Sequence, residues 1–251
     1  MDNFNYQHLA IRLHACMQAC FIIAGLIWHS PSLAADMADE YIELTAGYSR
    51  GSFNTGQIAN LYRAQVAYGK IYDSYDINIT VPYLFLNDNL GDDSGMGDII
   101  LRSGKTLGER SSSDNKLYAS ISLKLPTADE SRGLGTGETD AGGFLSYSHH
   151  FNEMNLTLTG GYIITGDSAI QSYEDIVVYG AGLSQYVNPW YIYGSLDGHQ
   201  QTLATGSAPL ELSAGLLYQI KLAQFLKAEG FIGLNNDSPD FGLAIGLINW
   251  F

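Results

Sequence analysis

The sequence predicts an all-β protein, a transmembrane antiparallel up-and-down β-barrel of about 12 strands that follows an N-terminal signal peptide. Three observations lead to this fold class: an apolar leader, segments in which apolar and polar residues alternate, and connections that are alternately short and long. The mean hydropathy of -0.02 agrees with it. Strands of alternating polarity average near zero and contain no long apolar run.

The leader is the first element. An apolar run covers residues 15–28, and small residues follow at Ser32 and Ala34. Such a run is short for a membrane span, and small residues at the minus-three and minus-one positions are typical of a secretory cleavage site. We therefore expect cleavage before Ala35 or Asp36, with an uncleaved anchor helix as the alternative.

The leader also determines the domain organisation. We expect a signal peptide over residues 1–35 and one barrel domain over residues 36–251, a length that suits a single barrel. Both cysteines, Cys16 and Cys20, lie within the leader. The mature domain would then contain no cysteine, which excludes disulfide and thiol chemistry.

The strands are the second element. From Tyr41 onward, apolar residues recur with a period of two in segments of about ten residues, the length that crosses a bilayer at a tilt. In the clearest segment, Leu117–Leu125, apolar residues alternate with Tyr, Ser and Lys, so that one face would contact lipid and the other the lumen. The pattern predicts strands near 41–50, 60–70, 74–85, 97–107, 116–126, 139–151, 154–165, 176–187, 190–200, 209–220, 224–234 and 240–251.

The connections are the third element. Outer-membrane barrels have short periplasmic turns and longer extracellular loops, and an even strand count places both termini on the periplasmic side. Short turns are predicted at 72–73, 152–153, 188–189 and 222–223, and the serine-rich connection Gly108–Asn115 is longer than this pattern predicts. The longer connections fall between them, near 51–59, 86–96, 127–138, 166–175, 201–208 and 235–239.

The last predicted strand ends at Phe251. A terminal aromatic residue on an amphipathic strand is typical of the signal that the barrel-assembly machinery reads, and we expect that machinery as a partner. Alternatively, Phe251 belongs to an interfacial belt of aromatic residues, which also places the strand in a membrane. Asn249 departs from the pattern, because an aromatic or apolar residue is usual there.

Four short segments, in this order along the chain, resemble an outer-membrane, transporter-like family named after the meta-cleavage pathway of phenol degradation. They are Gly95–Ile99, Ser122–Thr127, Gly133–Gly137 and Asn236–Phe241. The resemblance implies an outer-membrane barrel that passes small solutes, including hydrophobic or aromatic compounds. It brings no defined set of functional residues.

The net charge of -14 is concentrated in the predicted outer loops. This acidity excludes nucleic acid as a partner, because nucleic-acid binding relies on Lys and Arg to neutralise phosphates. Loop solubility explains the carboxylates more simply than divalent-cation binding, since no ligand loop with regular spacing is present. The acidic loop residues are Asp88, Asp92, Asp93, Asp129, Glu130, Glu138, Asp140, Asp167, Glu174, Asp175, Asp237 and Asp240.

Charged residues within the strands are expected to line the lumen, because burying them in lipid would cost several kcal/mol each. Arg63, Arg102, Lys124 and Lys227 either line a pathway that attracts anions or pair with acidic residues across neighbouring strands, which we favour. The acidic partners in that hypothesis are Glu43, Asp76, Glu211 and Glu229. The lumen-lining candidates are Glu43, Arg63, Asp76, Arg102, Lys124, Asp197, Glu211, Lys227 and Glu229, and His199 shares their face.

The directions of four tyrosines depend on the register of their strands. Tyr118, Tyr179, Tyr191 and Tyr193 face inward in some registers, where they would stack against aromatic solutes or pack against one another.

The sequence offers weak support for catalysis. His149 and His150 are adjacent and point to opposite faces of a strand, so they cannot act as a pair. Ser148, His149 and Asp140 have the residue types of a hydrolase but not an informative spacing. We predict no catalytic residue, metal site or cofactor.

The sequence therefore predicts an outer-membrane barrel that is a narrow channel or transporter for small solutes and whose partners are the lipid bilayer and those solutes. One alternative is a structural or adhesive barrel with a plugged lumen, because about 12 strands lie between filled and open barrels. A barrel hydrolase is a further alternative.

Overall fold

A computed structural model of the chain describes residues 39–51, 58–89, 91–107, 114–167, 173–201 and 208–251. The predicted signal peptide lies outside these ranges. The strands are β1 (Glu40–Gly51), β2 (Ala59–Ile71), β3 (Asp76–Asp88), β4 (Gly91–Met96), β5 (Ile99–Leu107), β6 (Asn115–Leu125), β7 (Asp140–Phe151), β8 (Met154–Ile164), β9 (Ile176–Val187), β10 (Trp190–His199), β11 (Leu210–Lys221), β12 (Gln224–Gly233) and β13 (Phe241–Trp250). A short 3-10 turn covers Glu130–Arg132.

The strands form one closed antiparallel sheet. Apart from β4 and β5, strands that are consecutive in sequence pair with each other, and β1 pairs with both β2 and β13, which closes the ring. β4 and β5 pair with successive parts of β3 and together act as one barrel strand. The barrel therefore has 12 strands, which confirms the predicted fold class.

The break between β4 and β5 is a β-bulge opposite Pro82. Proline has no N–H to donate to the neighbouring strand, and its carbonyl accepts a hydrogen bond from the Gly97 amide at 2.9 Å. Pairing resumes with one extra residue on the β4–β5 side, since Tyr83 lies opposite Met96 and Thr80 opposite Ile100. The bulge directs Asp98, which is buried, into the barrel.

The connection predicted near 86–96 is mostly strand, so that prediction was wrong. β3 continues to Asp88, and β4 begins at Gly91, whose positive φ of 132° suits the turn. The side-chain Nδ2 of Asn87 donates to the Asp92 carboxylate, and the side-chain Oδ1 of Asn87 accepts a hydrogen bond from Asn60 Nδ2. Because these polar side chains occupy the outward face of the hairpin, where apolar residues would otherwise alternate, the sequence pattern missed it.

The outward face of the barrel is apolar. Ile121, Leu243 and Ile245 are each more than 60% exposed, and every strand contributes at least one exposed apolar side chain of the same orientation, including Met96 on β4 and Leu107 on β5. Aromatic pairs lie near the short-turn end, such as Trp190 with Tyr218, whose ring centroids are 4.6 Å apart. An apolar belt with aromatic residues at its edge is the surface that lipid covers. No helix among the described residues is long and apolar enough to cross a membrane.

Two apolar clusters pack inside the barrel. The cluster at the short-turn end consists of Tyr41, Tyr191, Tyr193, Leu217, Phe225 and Ile248, with Trp250 against it. The cluster at the long-loop end consists of Ala59, Leu61, Leu84, Leu86 and Leu134, with Ala128 against it. Charged and polar side chains occupy the space between and beside them.

Candidate functional site in the barrel interior

The strand register directs every lumen-lining candidate to the inward face. Each occupies a position that alternates with outward apolar residues and lies opposite another inward residue, as Asp197 lies opposite Glu211. Burial is strongest for Glu43, Lys124, Glu211 and Lys227. Whether these residues line a solute pathway remains a prediction.

Lys227 is the centre of a buried ion cluster. Its Nζ lies 3.2 Å from Glu43 Oε1 and 3.2 Å from Glu229 Oε2, and its side chain is 1% exposed. Tyr193 donates a hydrogen bond of 2.7 Å to Glu229. Glu43 lies on β1 and Lys227 on β12, and on the intervening β13 Gly246 lies opposite Lys227 and opposite Thr45, which is two residues from Glu43. Because Gly246 has no side chain, the lysine reaches across a whole strand.

Lys124 is the centre of a second cluster, nearer the long loops. Its Nζ lies 2.6 Å from Asp140 Oδ2 and 3.8 Å from Asp98 Oδ2, and it donates a hydrogen bond of 2.6 Å to the Thr136 hydroxyl. The structure therefore pairs Lys124 with acidic residues that were not the partners proposed from the sequence. Asp98 was missed because its inward direction depends on the bulge.

The connection between β6 and β7 folds into the barrel mouth. Leu134 is 1% exposed and packs against inward-facing Leu61, Leu84 and Leu86. The Ala128 amide donates to Asp98 Oδ1 at 3.0 Å. The sequence predicted an outer loop over 127–138, and the structure shows that this loop narrows the lumen.

Two of the residues assigned to the acidic outer loops are buried, which corrects that assignment. Asp140 lies in β7 and is 3% exposed because it pairs with Lys124. Asp237 is 3% exposed and lies in the connection between β12 and β13, which turns inward. The adjacent Ser238 bonds the amide and the carbonyl of Leu210 at 2.8 and 2.9 Å.

Other carboxylates fix the loops from outside the strands. The Thr165 amide and the Tyr162 hydroxyl each donate to Asp175 at 2.9 Å, and these hydrogen bonds lower the pKa of Asp175. The Ser131 hydroxyl donates to Asp129 at 2.6 Å and lowers the pKa of that carboxyl. These two groups stabilise loop backbone through hydrogen bonds.

Asp76 and Tyr118 form a third polar group, nearer the short turns. The Tyr118 hydroxyl lies 2.9 Å from both carboxylate oxygens of Asp76. The tyrosine ring crosses Gly104, where a Cβ atom would lie 1.9 Å from the hydroxyl oxygen. The Arg102 guanidinium lies 6.0 Å from the centre of the Phe144 ring.

Asp197 and Glu211 form a carboxylate pair that the sequence did not single out. They lie directly opposite each other on β10 and β11, and Glu211 is 6% exposed. No described basic side chain forms an ion pair with either of them, and Glu211 Oε2 is buried without a hydrogen-bond partner among the described residues. Ser195 donates to Asp197 and lies 2.7 Å from the Ser213 hydroxyl. Detecting this pair requires the register between the strands.

Three of the four tyrosines with register-dependent directions face inward and one faces outward. Tyr118, Tyr191 and Tyr193 face inward, whereas Tyr179 faces outward and is 47% exposed. Tyr41, which the sequence did not single out, accepts a hydrogen bond of 3.0 Å from Asn78 inside the barrel.

The three residues considered for hydrolysis do not form a catalytic group, because their side chains do not share one face and one end of the barrel and each contacts a different partner. The Ser148 hydroxyl faces inward and bonds Thr157 at 3.0 Å. His149 faces outward, with its Nδ1 2.7 Å from Asn115, and Asp140 pairs with Lys124 at the other end of the barrel. The described residues also contain no group of three or more His, Cys, Asp or Glu side chains arranged to hold a metal ion.

Comparisons with known proteins give structural relatives. No family model matches the chain, and no curated protein matches it in sequence. The COG4313 outer membrane channel from Pseudomonas putida F1 has a TM-score of 0.72 at 15% identity, covering 87% of this chain and 97% of that one. NanC porin has a TM-score of 0.60 at 10% identity, covering 84% of this chain and 99% of that one.

A third relative is the CymD monoaromatic hydrocarbon channel, with a TM-score of 0.51 at 8% identity, covering 86% of this chain and 89% of that one. Identities this low establish similarity of fold alone. No comparison supports the narrower meta-pathway family. The chain thus has the barrel fold found in outer-membrane channels and porins.

Proposed function

We propose that this protein is an outer-membrane channel that passes small solutes through a narrow lumen. The observation that carries the proposal is a closed barrel of 12 strands with an apolar outer face and a charged interior. Barrels of about eight strands are filled by side chains, and those of about sixteen enclose open aqueous channels. A lumen narrowed by one inward loop is intermediate between these cases. The structural relatives, which are channels and porins, agree with it.

A recess in the long-loop half of the barrel suggests the kind of solute. Leu61, Phe231 and Ala244 supply apolar surface, and Arg63 and Glu229 supply charge. The recess has room for little more than a water molecule, so it shows only that the lumen wall here is partly apolar and partly charged, a wall that suits small solutes with both apolar and polar parts. The resemblance to the meta-pathway family, together with a relative described as a monoaromatic hydrocarbon channel, supports hydrophobic or aromatic compounds within that class.

The proposal includes how the protein reaches the membrane. A signal peptide over residues 1–35 would direct export, and the strand that ends at Phe251 would be recognised by the barrel-assembly machinery. Phe251 is exposed, and its amide donates to the Glu40 carbonyl at 2.9 Å. We propose no catalytic activity.

A structural barrel with a plugged lumen is the second candidate. The inward loop around Leu134 and the aromatic cluster around Tyr41 support it, since both fill interior space.

Single-channel recording on refolded protein in planar bilayers distinguishes these functions. We expect discrete currents, and we expect Leu134→Ala to increase the conductance because it removes the anchor of the inward loop. Leu243→Ala is the matched control, because Leu243 faces outward and is 62% exposed. Silence from fully folded protein would contradict the channel and favour the plugged barrel. Hydrolysis of phospholipid or peptide by the same sample would favour an enzyme.

A further inference from the structure

The two buried lysines are each outnumbered by their acidic partners. Lys227 lies between Glu43 and Glu229, and Lys124 lies near both Asp98 and Asp140. If all groups are ionised, each cluster carries an excess negative charge. The lysines therefore do not present a positive surface to a solute, which is the reverse of what a pathway for anions needs.

The pair Asp197 and Glu211 adds negative charge without a basic partner. Like charges directly opposite each other destabilise a sheet, so the pair needs a positive charge from outside the two strands. The long-loop connections 52–57, 168–172 and 202–207, on the side of the barrel where the pair lies, contain no Lys or Arg in the sequence, and Arg110 belongs to the connection between β5 and β6 on the short-turn side. The described residues near the pair supply none either, since the ion pairs of the buried lysines are with other acids.

The unpartnered oxygen of Glu211 is an independent sign of a missing ligand. The Glu211 side chain is buried, with only 6% of the residue exposed. Its Oε2 atom accepts no hydrogen bond from a described residue. Leaving such an oxygen unsatisfied is costly, because it has given up its hydrogen bonds to water without replacing them. A bound cation would satisfy it and would neutralise the pair.

The other inward charges do not reverse this balance. His199 lies two residues from Asp197 on the same face, and its Nδ1 contacts the Gln200 carbonyl at 2.6 Å. Arg63 and Arg102 are the remaining inward cations near the centre of the barrel. Among the described residues, the acidic side chains on the inward face of the barrel wall are Glu43, Asp76, Asp88, Asp93, Asp98, Asp140, Asp197, Glu211 and Glu229, and the basic ones are Arg63, Arg102, Lys116, Lys124 and Lys227.

We propose that the lumen prefers cations to anions, and that Asp197 and Glu211, with the hydroxyls of Ser195 and Ser213, form the position where a cation binds. The cation preference rests on the proposed channel function, whereas the binding position does not. Carboxylate and hydroxyl oxygens are hard ligands that suit alkali and alkaline-earth ions. Fixed carboxylates in a narrow, water-filled passage raise the local concentration of cations and repel anions.

The first test is the reversal potential of refolded protein in a KCl gradient at mildly alkaline pH, where carboxylates are ionised. We expect wild type to favour K⁺ over Cl⁻ by at least about threefold. The double variant Asp197→Asn/Glu211→Gln should bring the ratio towards one. The control Glu174→Gln/Asp240→Asn, which removes two exposed loop carboxylates, should leave the ratio unchanged. Anion preference in wild type, or an equal effect of both variants, would overturn the proposal.

The second test separates cation binding from conduction. Equilibrium dialysis of the folded barrel in detergent against Ca²⁺ should find one bound ion in wild type and in the loop control, and none in the double variant. Binding without any current would mean that the channel proposal fails while the cation position stands. No difference in bound Ca²⁺ between wild type and the double variant would overturn the position itself.

Discussion

Replacing Lys227 with methionine should strongly destabilise the barrel. The Lys227 side chain is 1% exposed, and its Nζ lies 3.2 Å from a carboxylate oxygen of both Glu43 and Glu229. Removing one member of a buried ion pair costs about 3 to 5 kcal/mol, because the partner stays buried without a counter-charge. Here two carboxylates lose their counter-charge, and Glu229 Oε1 already lacks a hydrogen-bond partner among the described residues. We therefore expect Lys227→Met to lower the free energy of unfolding by about 5 kcal/mol, near the upper end of that range.

The assay is equilibrium urea unfolding of protein refolded into vesicles, followed by tryptophan fluorescence. Lys70→Met is the control, because Lys70 Nζ lies 2.5 Å from Glu40 Oε1 but the two side chains are 35% and 29% exposed. Exposed pairs contribute less than about 1 kcal/mol. Adding Glu43→Gln and Glu229→Gln to Lys227→Met should restore at least half of the loss. Equal losses for the two lysine variants, or no restoration by the glutamines, would refute the reasoning.

Three further predictions test which face of β6 contacts lipid, how Asp175 stabilises its loop, and whether the leader is cleaved. Ile121→Arg should cost about 2 to 4 kcal/mol of unfolding free energy and Ser122→Arg much less, because only the first places charge in lipid; equal losses in vesicle unfolding would show that the facing is wrong. The pKa of Asp175 is lowered in the folded state, so its stabilisation of the loop is full above the unfolded pKa of about 3.9 and is lost as the pH falls through the folded value. Hydrogen-exchange protection of the Thr165 amide should fall in that window in wild type and be independent of pH in Asp175→Asn. Mass spectrometry should find a mature N terminus at residue 35 or 36, and recovery of intact protein would contradict the signal peptide.

The face of each strand that contacts lipid could be predicted, because in an alternating strand the apolar residues lie either all on the outward face or all on the inward face. In β6 a shift of one residue would exchange Ile121 and Ser122, moving all apolar side chains of the strand from lipid to the interior. The 66% exposure of Ile121 and the ladder partners of Ser122 agree with the predicted solution. Short turns were equally predictable, since a hairpin of two residues leaves little freedom; at 152–153 the structure has Asn152 with a positive φ of 55°.

The sequence named Glu43 and Glu229 among the acidic partners, but it could not predict which lysine pairs with which carboxylate, because that depends on how the strands align with one another. Lys227 reaches Glu43 across β13, where its ladder partner Gly246 has no side chain. Lys124 reaches Asp98 only because a bulge opposite Pro82 directs that residue inward. Neither relation is visible in the alternation of a single strand.

The inward loop was missed for a different reason. Its composition of Gly, Thr, Ser and charged residues is that of an exposed connection, and one leucine, Leu134, shows no periodicity. Gly133 and Gly137 adopt φ values of 70° and 73°, which allow the chain to turn back towards the lumen. Which wall it then contacts is determined by Leu61 and Leu84, residues distant in sequence.

The chemistry of the interior favours a channel over a structural plug. Replacing a buried ion cluster with well-packed apolar residues is often neutral or stabilising, so a barrel whose interior served stability alone would gain nothing from Lys227 and its two glutamates. A buried carboxylate such as Glu211, without a described basic partner, would only reduce the stability of a sealed plug. In a passage that water and ions enter, the same group is solvated or neutralised when the passage is occupied. The presence of such charges beside the inward loop around Leu134 therefore agrees with conduction.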